Sequence, residues 1–300
     1  MSSASHAAHL GMLLWAVLVG LSFPAVGVMS ELPPFSLTAL RFVIACSGLW
    51  WLARRSPAFL PSWRQLPLYA LMGLCLAGFF GAMFWAAHHA TALSMATLFV
   101  TVPLLAFLMG LGFGVERLAW RLPAILSLGA AGALGLAFAE SLVKGGRLQF
   151  GIGEAVFFLG CLSTALYPVL SKWGLATGRL PTSAAVRTFW SLGLGAVLIG
   201  LLGLVVEPVE RLGTMSGRDL LLLVYLGLFS SALTFWLLQR ATSVLTPGAV
   251  TAYSYLVPFV SMLLLFVREP ERVGWVWLPG SLLVLVAMGL LMGRDDSRSG

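Results

Sequence analysis

Residues 84–120 read FWAAHHATALSMATLFVTVPLLAFLMGLGFGVERLAW, and residues 235–275 read FWLLQRATSVLTPGAVTAYSYLVPFVSMLLLFVREPERVGW. Each opens with FWxxxxAT: Phe84, Trp85, Ala90 and Thr91 in the first, Phe235, Trp236, Ala241 and Thr242 in the second. Each then runs to a proline followed, after twelve intervening residues, by ER-x2-W: Pro103, Glu116, Arg117 and Trp120, then Pro258, Glu271, Arg272 and Trp275. The offsets are 151 and 155, so the second copy holds four extra residues near 243–247, about one helical turn. Looser pairs join Pro24 with Pro168, and Arg41 with Arg187; each arginine follows a proline (Pro34, Pro181) by six or seven residues. Two long matches in the same order mark an internal repeat.

The material between the motifs says what is repeated. Of 300 residues, 59% are hydrophobic and only 10% charged, with mean hydropathy +0.96, against roughly a quarter charged in ordinary soluble domains. Secreted disulfide scaffolds, disordered chains, cytosolic enzymes and nucleic-acid binders are disfavoured. A helix crossing the hydrocarbon core needs about 20 mostly apolar residues. Such runs lie at 10–30, 34–53 (interrupted by Arg41), 122–139, 155–171, 188–206, 220–239, 241–267 and 273–293, and the uncharged stretch between Arg64 and Glu116 divides near His88–Ser94 into two more. The runs are apolar on all sides, unlike the alternating strands of a membrane barrel. Cys46, Cys75 and Cys161 fall inside spans and read as small packing residues.

The expected fold is an all-α integral membrane protein with ten transmembrane helices, divided into a cytoplasmic tail at 1–9, a first five-helix repeat at 10–140, a second at 150–293 and a cytoplasmic tail at 294–300. Five is odd, so the second unit must be inverted relative to the first, as in many secondary transporters. With a cytoplasmic N-terminus, Arg54, Arg55, Arg64, Arg117, Arg121, Lys172, Arg179, Arg240, Arg294 and Arg298 lie inside, against Lys144, Arg147, Arg211, Arg218, Arg268 and Arg272 outside. This obeys the positive-inside rule. The acids Glu31, Glu140, Glu154, Glu207, Glu210, Asp219, Glu269 and Glu271 fall outside. The net charge of +7 therefore reports topology rather than a nucleic-acid surface.

Ten spans in two five-span repeats, with GVERLAW at 114–120 and EPERVGW at 269–275 each preceded by a late-span proline, resemble the EamA family of the drug/metabolite transporter superfamily over about residues 10–293. The resemblance implies an inner-membrane location, alternating access and efflux of a small metabolite, with amino-acid exporters of the YddG type as the nearest functional guess. Its Glu-Arg turns look structural. Pro270, between Glu269 and Glu271, departs from the first copy.

Polar side chains are costly in lipid and tend to face a cavity or another helix. The candidates for one central cavity are Trp15, Ser22, Phe80, Phe84, His88, Thr97, Thr101, Ser163, Tyr167, Trp236, Tyr253 and Tyr255. Against this, Ser and Thr in membrane helices often bond their own backbone or glue helix pairs. Arg41, Lys172 and Arg187 could meet a substrate carboxylate or instead snorkel or pair with loop acids. The prolines Pro24, Pro103, Pro168 and Pro258 each remove a backbone hydrogen bond and are candidate hinges. Trp50, Trp51, Trp63, Trp120, Trp275 and Trp277 read as interfacial belt residues. The glycines at 110 and 114, and at 129, 132 and 135, read as close-packing positions.

No cofactor or metal is expected, and the partners expected are a small-molecule substrate and the lipid bilayer, with a monomer as the simplest unit and no nucleic acid. The chain has no HExxH, GxSxG, paired mid-span aspartates or GxxxxGK[ST], which argues against a membrane-embedded enzyme or ATP hydrolysis. With no mid-span acid to relay protons, facilitated diffusion or exchange is favoured over tight proton coupling. An aromatic and hydroxylated lining suits amino acids with apolar side chains; neutral drugs, nucleobases and nucleosides are the alternatives.

Overall fold

A helix in lipid closes its own backbone hydrogen bonds, and the computed structural model of the chain is built from such helices. It describes residues 3–29, 32–144 and 147–296. Glu31 and Arg298 lie outside the described residues, as does the side chain of Lys144.

Among the described residues, ten helices are long and apolar enough to span a membrane. They are α1 (Ser3–Val28), α2 (Pro34–Arg54), α3 (Leu66–Ala86), α4 (Ala92–Gly112), α5 (Arg121–Lys144), α6 (Ile152–Ala176), α7 (Ala184–Val206), α8 (Gly217–Val244), α9 (Pro247–Arg268) and α10 (Trp277–Asp296). The expected fold class is observed. The boundaries differ at the ends: α1 starts at Ser3, taking in residues expected to form a tail, and α9 starts at Pro247, where proline suits a first helical turn. Short 3-10 turns at Val209–Thr214 and Pro270–Arg272 join α7 to α8 and α9 to α10.

Two helices are interrupted at matching places. α4 is α-helical over Ala92–Phe99 and again over Val102–Gly112; α9 is α-helical over Pro247–Ala252, 3-10 over Tyr253–Tyr255 and α-helical again from Leu256. Pro103 and Pro258 supply the reason. Neither has an N–H for the carbonyl four residues back, and its ring crowds that carbonyl. Pro24 and Pro168 sit inside helices whose α assignment runs through them. α8 carries a π-helical turn at Leu228–Leu233.

The principal packing pairs are α2 with α7, α5 with α10, α3 with α6 and α7, α1 with α8 and α9, α4 with α6 and α9, and α2 with α8. Exchanging α1–α5 with α6–α10 maps this set onto itself: α3–α6 becomes α8–α1, α3–α7 becomes α8–α2, and α4–α6 becomes α9–α1.

Small residues let the backbones approach. A Cβ on Gly73 would lie 2.8 Å from the amide nitrogen of Gly195, and one on Gly132 2.7 Å from that of Val284. The ring of Tyr255 occupies the space beside Gly129. Gly114, expected to pack, instead ends α4 with φ +70° and open space around it; the amides of Val115 and Glu116 both bond back to the Gly110 carbonyl, the left-handed cap that glycine accepts without a Cβ penalty. Trp63, Trp120 and Trp275 are at least three-quarters exposed, as belt residues should be, whereas Trp277 is buried against the apolar core. Cys75 and Cys161 lie in apolar clusters.

Candidate functional site: one open face and one sealed face

α1, α3 and α7 finish, and α2 and α8 begin, on the same face. A cavity of about 430 Å3 opens there, lined by Val26, Met29, Pro33, Thr38, Arg41, Phe84, His88, Glu207, Arg211, Leu223 and Leu226 among others. Its wall is largely apolar. Phe84 packs on Phe35 (centroids 6.3 Å apart) and on Phe80 (6.2 Å).

Two charged side chains of the lining differ in what they do. Glu207 is committed to the backbone. It accepts from the amides of Phe35 (2.7 Å) and Ser36 (2.9 Å) and from the Ser36 hydroxyl (2.8 Å). It thus satisfies the orphan donors at the α2 N-terminus and meets the positive end of the helix dipole. Arg41 is only 6% exposed. Its Nη2 reaches the hydroxyls of Ser230 (3.5 Å) and Ser231 (3.3 Å) in the π-turn of α8, its Cζ lies 5.7 Å from the Phe80 ring centre, and its Nε finds no partner.

Below Arg41 an aromatic layer divides the molecule. Phe42 meets Phe80 edge-on (5.4 Å) and Phe235 (6.2 Å), and Phe235 meets Tyr167 (5.9 Å). On the far side sits Arg187, fully buried. Its Nε donates to Gln239 Oε1 (3.0 Å), its Nη1 to the carbonyls of Pro181 (2.7 Å) and Thr182 (2.8 Å), and its Nη2 to the Gln239 carbonyl (2.6 Å) and Ser243 Oγ (3.0 Å). Those five bonds match the five donors of a guanidinium and pin α8 to α7. The network extends through Ser171 to Gln239 Oε1 (2.5 Å), and through Ser191, which donates to the Arg187 carbonyl (2.7 Å), to the Tyr167 hydroxyl (2.8 Å).

The same face is tied twice more. Glu116 accepts from the amide of Gly248 (2.8 Å), joining the end of α4 to the start of α9. His9 Nδ1 and the Tyr253 hydroxyl meet at 2.5 Å, joining α1 to α9. The repeat counterpart of Glu116 is Glu271, on the opposite face. Glu271 is exposed, and its neighbour Glu269 pairs with Arg272 (2.6 Å).

Of the sequence candidates, the structure brings Arg41, Phe84 and His88 together on this cavity. Phe80 lies beneath them. Ser22, Thr97, Thr101 and Ser163 turn their hydroxyls to Val19, Leu93, Leu98 and Leu159 of their own helices. Trp15 and Trp236 pack against the apolar core, Tyr255 is buried on Gly129, and Tyr167 and Tyr253 belong to the sealed half. Lys172 donates to the Ser243 carbonyl (3.2 Å).

Sequence reasoning passed over Gln239, although it is the only side-chain amide inside a span of a chain with no Asn and three Gln. A lone amide in lipid must find a partner, and that signal was available. Glu207 carried no comparable mark.

Among the described residues ten helices are long and apolar enough to cross a membrane, and five of them, α1, α2, α3, α7 and α8, carry the lining of a cavity open at one end, an architecture that suits a polytopic membrane transporter. Comparison with known proteins bears this out. Residues 151–293 match the EamA-like transporter family. It is 27% identical to a probable terminal-alkyne amino-acid exporter of Streptantibioticus cattleyicolor, over 99% of this chain and 96% of that one. It is also 27% identical to the uncharacterized inner membrane transporter YedA of Escherichia coli K12, over 87% and 83% of the two chains. It is 24% identical to the uncharacterized transporter YcxC of Bacillus subtilis, over 94% and 91%. A protein of known crystal structure shares the fold over the whole of both chains, with TM-score 0.78 and 24% identity.

Proposed function

We propose that the protein exports small metabolites from the cytoplasm across the inner (plasma) membrane, with amino acids bearing apolar side chains as its substrates, by alternating access between two five-helix halves of opposite orientation. The observation that carries this is the inequality of equivalent residues. Glu116 caps α9 while its counterpart Glu271 stands in the open, and Arg187 closes α8 on α7 while its counterpart Arg41 looks into a cavity. Two similar halves held in different states are what an exchange of open faces requires. This conformation is then the outward-open one, and the breaks at Pro103 and Pro258 are the points about which α4 and α9 flex. The apolar and aromatic lining suits an amino acid with an apolar side chain, and the likeness to the probable amino-acid exporter of Streptantibioticus points the same way.

Uptake into proteoliposomes, measured over a panel of labelled aromatic and aliphatic amino acids, nucleosides and cationic drugs, tests the proposal. Saturable amino-acid uptake, unaffected by an imposed pH gradient, is expected. Uptake confined to nucleosides or drugs would remove the substrate assignment, and no uptake of any member by folded protein would remove the transport mechanism. Replacing Pro103 or Pro258 by alanine should lower the transport rate several-fold at unchanged folded yield; equal rates per folded molecule would take the hinges away.

A further inference from the structure

We infer that Arg41 is the anchor for a carboxylate on the transported solute. The inference rests on the transport reading above and adds the chemical group the solute must carry.

A guanidinium has five N–H donors, and bonds to an ionised acceptor run about 2.7–2.9 Å. Arg41 is 94% buried, yet its Nε is unpartnered and its only bonds are to two hydroxyls at 3.3 and 3.5 Å. Arg187, the same position in the other half, has five bonds of 2.6–3.0 Å. The difference is written in the sequence. In the FWxxxxAT register, Gln239 corresponds to His88 and Ser243 to Ala92. The amide oxygen is replaced by an imidazole whose Nδ1 already bonds the Phe84 carbonyl (3.1 Å), and the hydroxyl is lost. Closing α3 on α2 as α8 closes on α7 would therefore still leave Arg41 without those two side-chain acceptors. The π-turn of α8 brings Ser230 and Ser231 to the guanidinium, whereas α3 is regular α-helix through the corresponding turn.

A buried cation with no charged acceptor and only two long bonds to hydroxyls is costly. Glu207, the acid among the described residues of the same cavity, already holds three donors. The missing acceptor is then one that diffuses in, and a carboxylate fits the guanidinium fork with two parallel bonds. Val26, Phe84, Leu223 and Leu226 around it call for an apolar body. Among the described residues of the lining one cation is buried; Arg211, the other, is exposed. A single carboxylate is thus matched, and a dianion is not.

The test compares phenylalanine, phenylalaninamide and phenethylamine as labelled solutes in proteoliposomes, for the unaltered protein and for Arg41→Gln and Arg41→Lys, with rates per folded molecule. The unaltered protein should favour the acid over both relatives by about tenfold or more, as expected for a charge-assisted bond. Arg41→Gln should abolish the preference, and Arg41→Lys should keep part of it. Equal uptake of acid and amide by the unaltered protein would overturn the carboxylate anchor while leaving transport standing. So would a preference that survives in Arg41→Gln. No uptake of any of the three in any vesicle would instead overturn the transport reading and this inference with it. Vesicles of phosphatidylcholine with and without phosphatidylglycerol separate the two sources of an anion: a preference that phosphatidylglycerol abolishes would assign Arg41 to a lipid headgroup and overturn the proposal.

Discussion

Replacing Arg187 by methionine is expected to cost about 3–5 kcal/mol, the range for breaking a buried charged network from one side, and to open the sealed face. The side chain is 0% exposed and makes all five of its possible hydrogen bonds. Methionine fills much of the volume but satisfies none of the acceptors. The carbonyls of Pro181 and Thr182 would lose this donor, the link from α7 to the end of α8 would be gone, and Gln239 Oε1 would keep only the Ser171 hydroxyl. Arg187→Lys should recover part of the loss, since an ammonium keeps the charge but cannot span acceptors on two sides with a planar fork. Thermal unfolding in detergent measures the first effect. The second is read by an impermeant maleimide on a cysteine replacing Ala241, which is fully buried, in a protein whose three native cysteines are replaced. Labelling in inside-out vesicles should be slow with Arg187 present and fast without it. A methionine variant as stable as its parent, with Ala241→Cys still protected, would show that the guanidinium does not hold this face shut.

Replacing Gly132 by leucine is the other change expected to be severe. α5 and α10 meet backbone to backbone here: a Cβ on Gly132 would lie 2.7 Å from the Val284 nitrogen and 2.9 Å from the Gly280 oxygen, and a Cβ on Gly280 2.8 Å from both the Gly132 oxygen and the Leu136 nitrogen. In lipid there is little hydrophobic drive to bring helices together, so close van der Waals packing between small residues carries the association. A leucine cannot be relieved by moving a flexible side chain, because what it meets is main chain. The helices must separate, and α10 packs chiefly on α5. Overpacking costs about 1–3 kcal/mol even where side chains can give, and more is expected here. The amount of monodisperse protein recovered after extraction should fall severalfold. Gly289→Ala in α10, where a Cβ meets nothing within 4 Å, is the matched control and should leave recovery unchanged. Equal recovery of Gly132→Leu and the control would mean that this contact does not hold α10 in place.

The glycine run at 129, 132 and 135 was recognisable as a packing stripe, since a residue without a side chain in a lipid helix has few other uses. Gly114 looked alike in sequence and turned out to terminate a helix, because the choice between packing and capping depends on where the helix ends. Arg187 was visible as a charge inside a span, with a substrate, the interface or a loop acid as its partner. It bonds none of these. Its acceptors are two carbonyls of the preceding turn and the far end of α8, fifty residues away in the chain.

What the sequence by itself determined is the number and place of the helices, four prolines at which one could break, and the correspondence between the two halves; only the structure separates Pro103 and Pro258, where the helix is interrupted, from Pro24 and Pro168, where it is not. Each follows from local chemistry: an apolar run of sufficient length in lipid must be a helix, and a proline within one must release a carbonyl. What only the tertiary structure decided is which polar groups face a solute. A serine or threonine hydroxyl in a helix can bond the carbonyl one turn back, and Ser22, Thr97, Thr101 and Ser163 all do, so their shared faces carried no information about the cavity. Arg41 and Arg187 stand at equivalent positions with opposite fates because a guanidinium is satisfied or left open by side chains from distant helices, and those meet it only when the bundle closes.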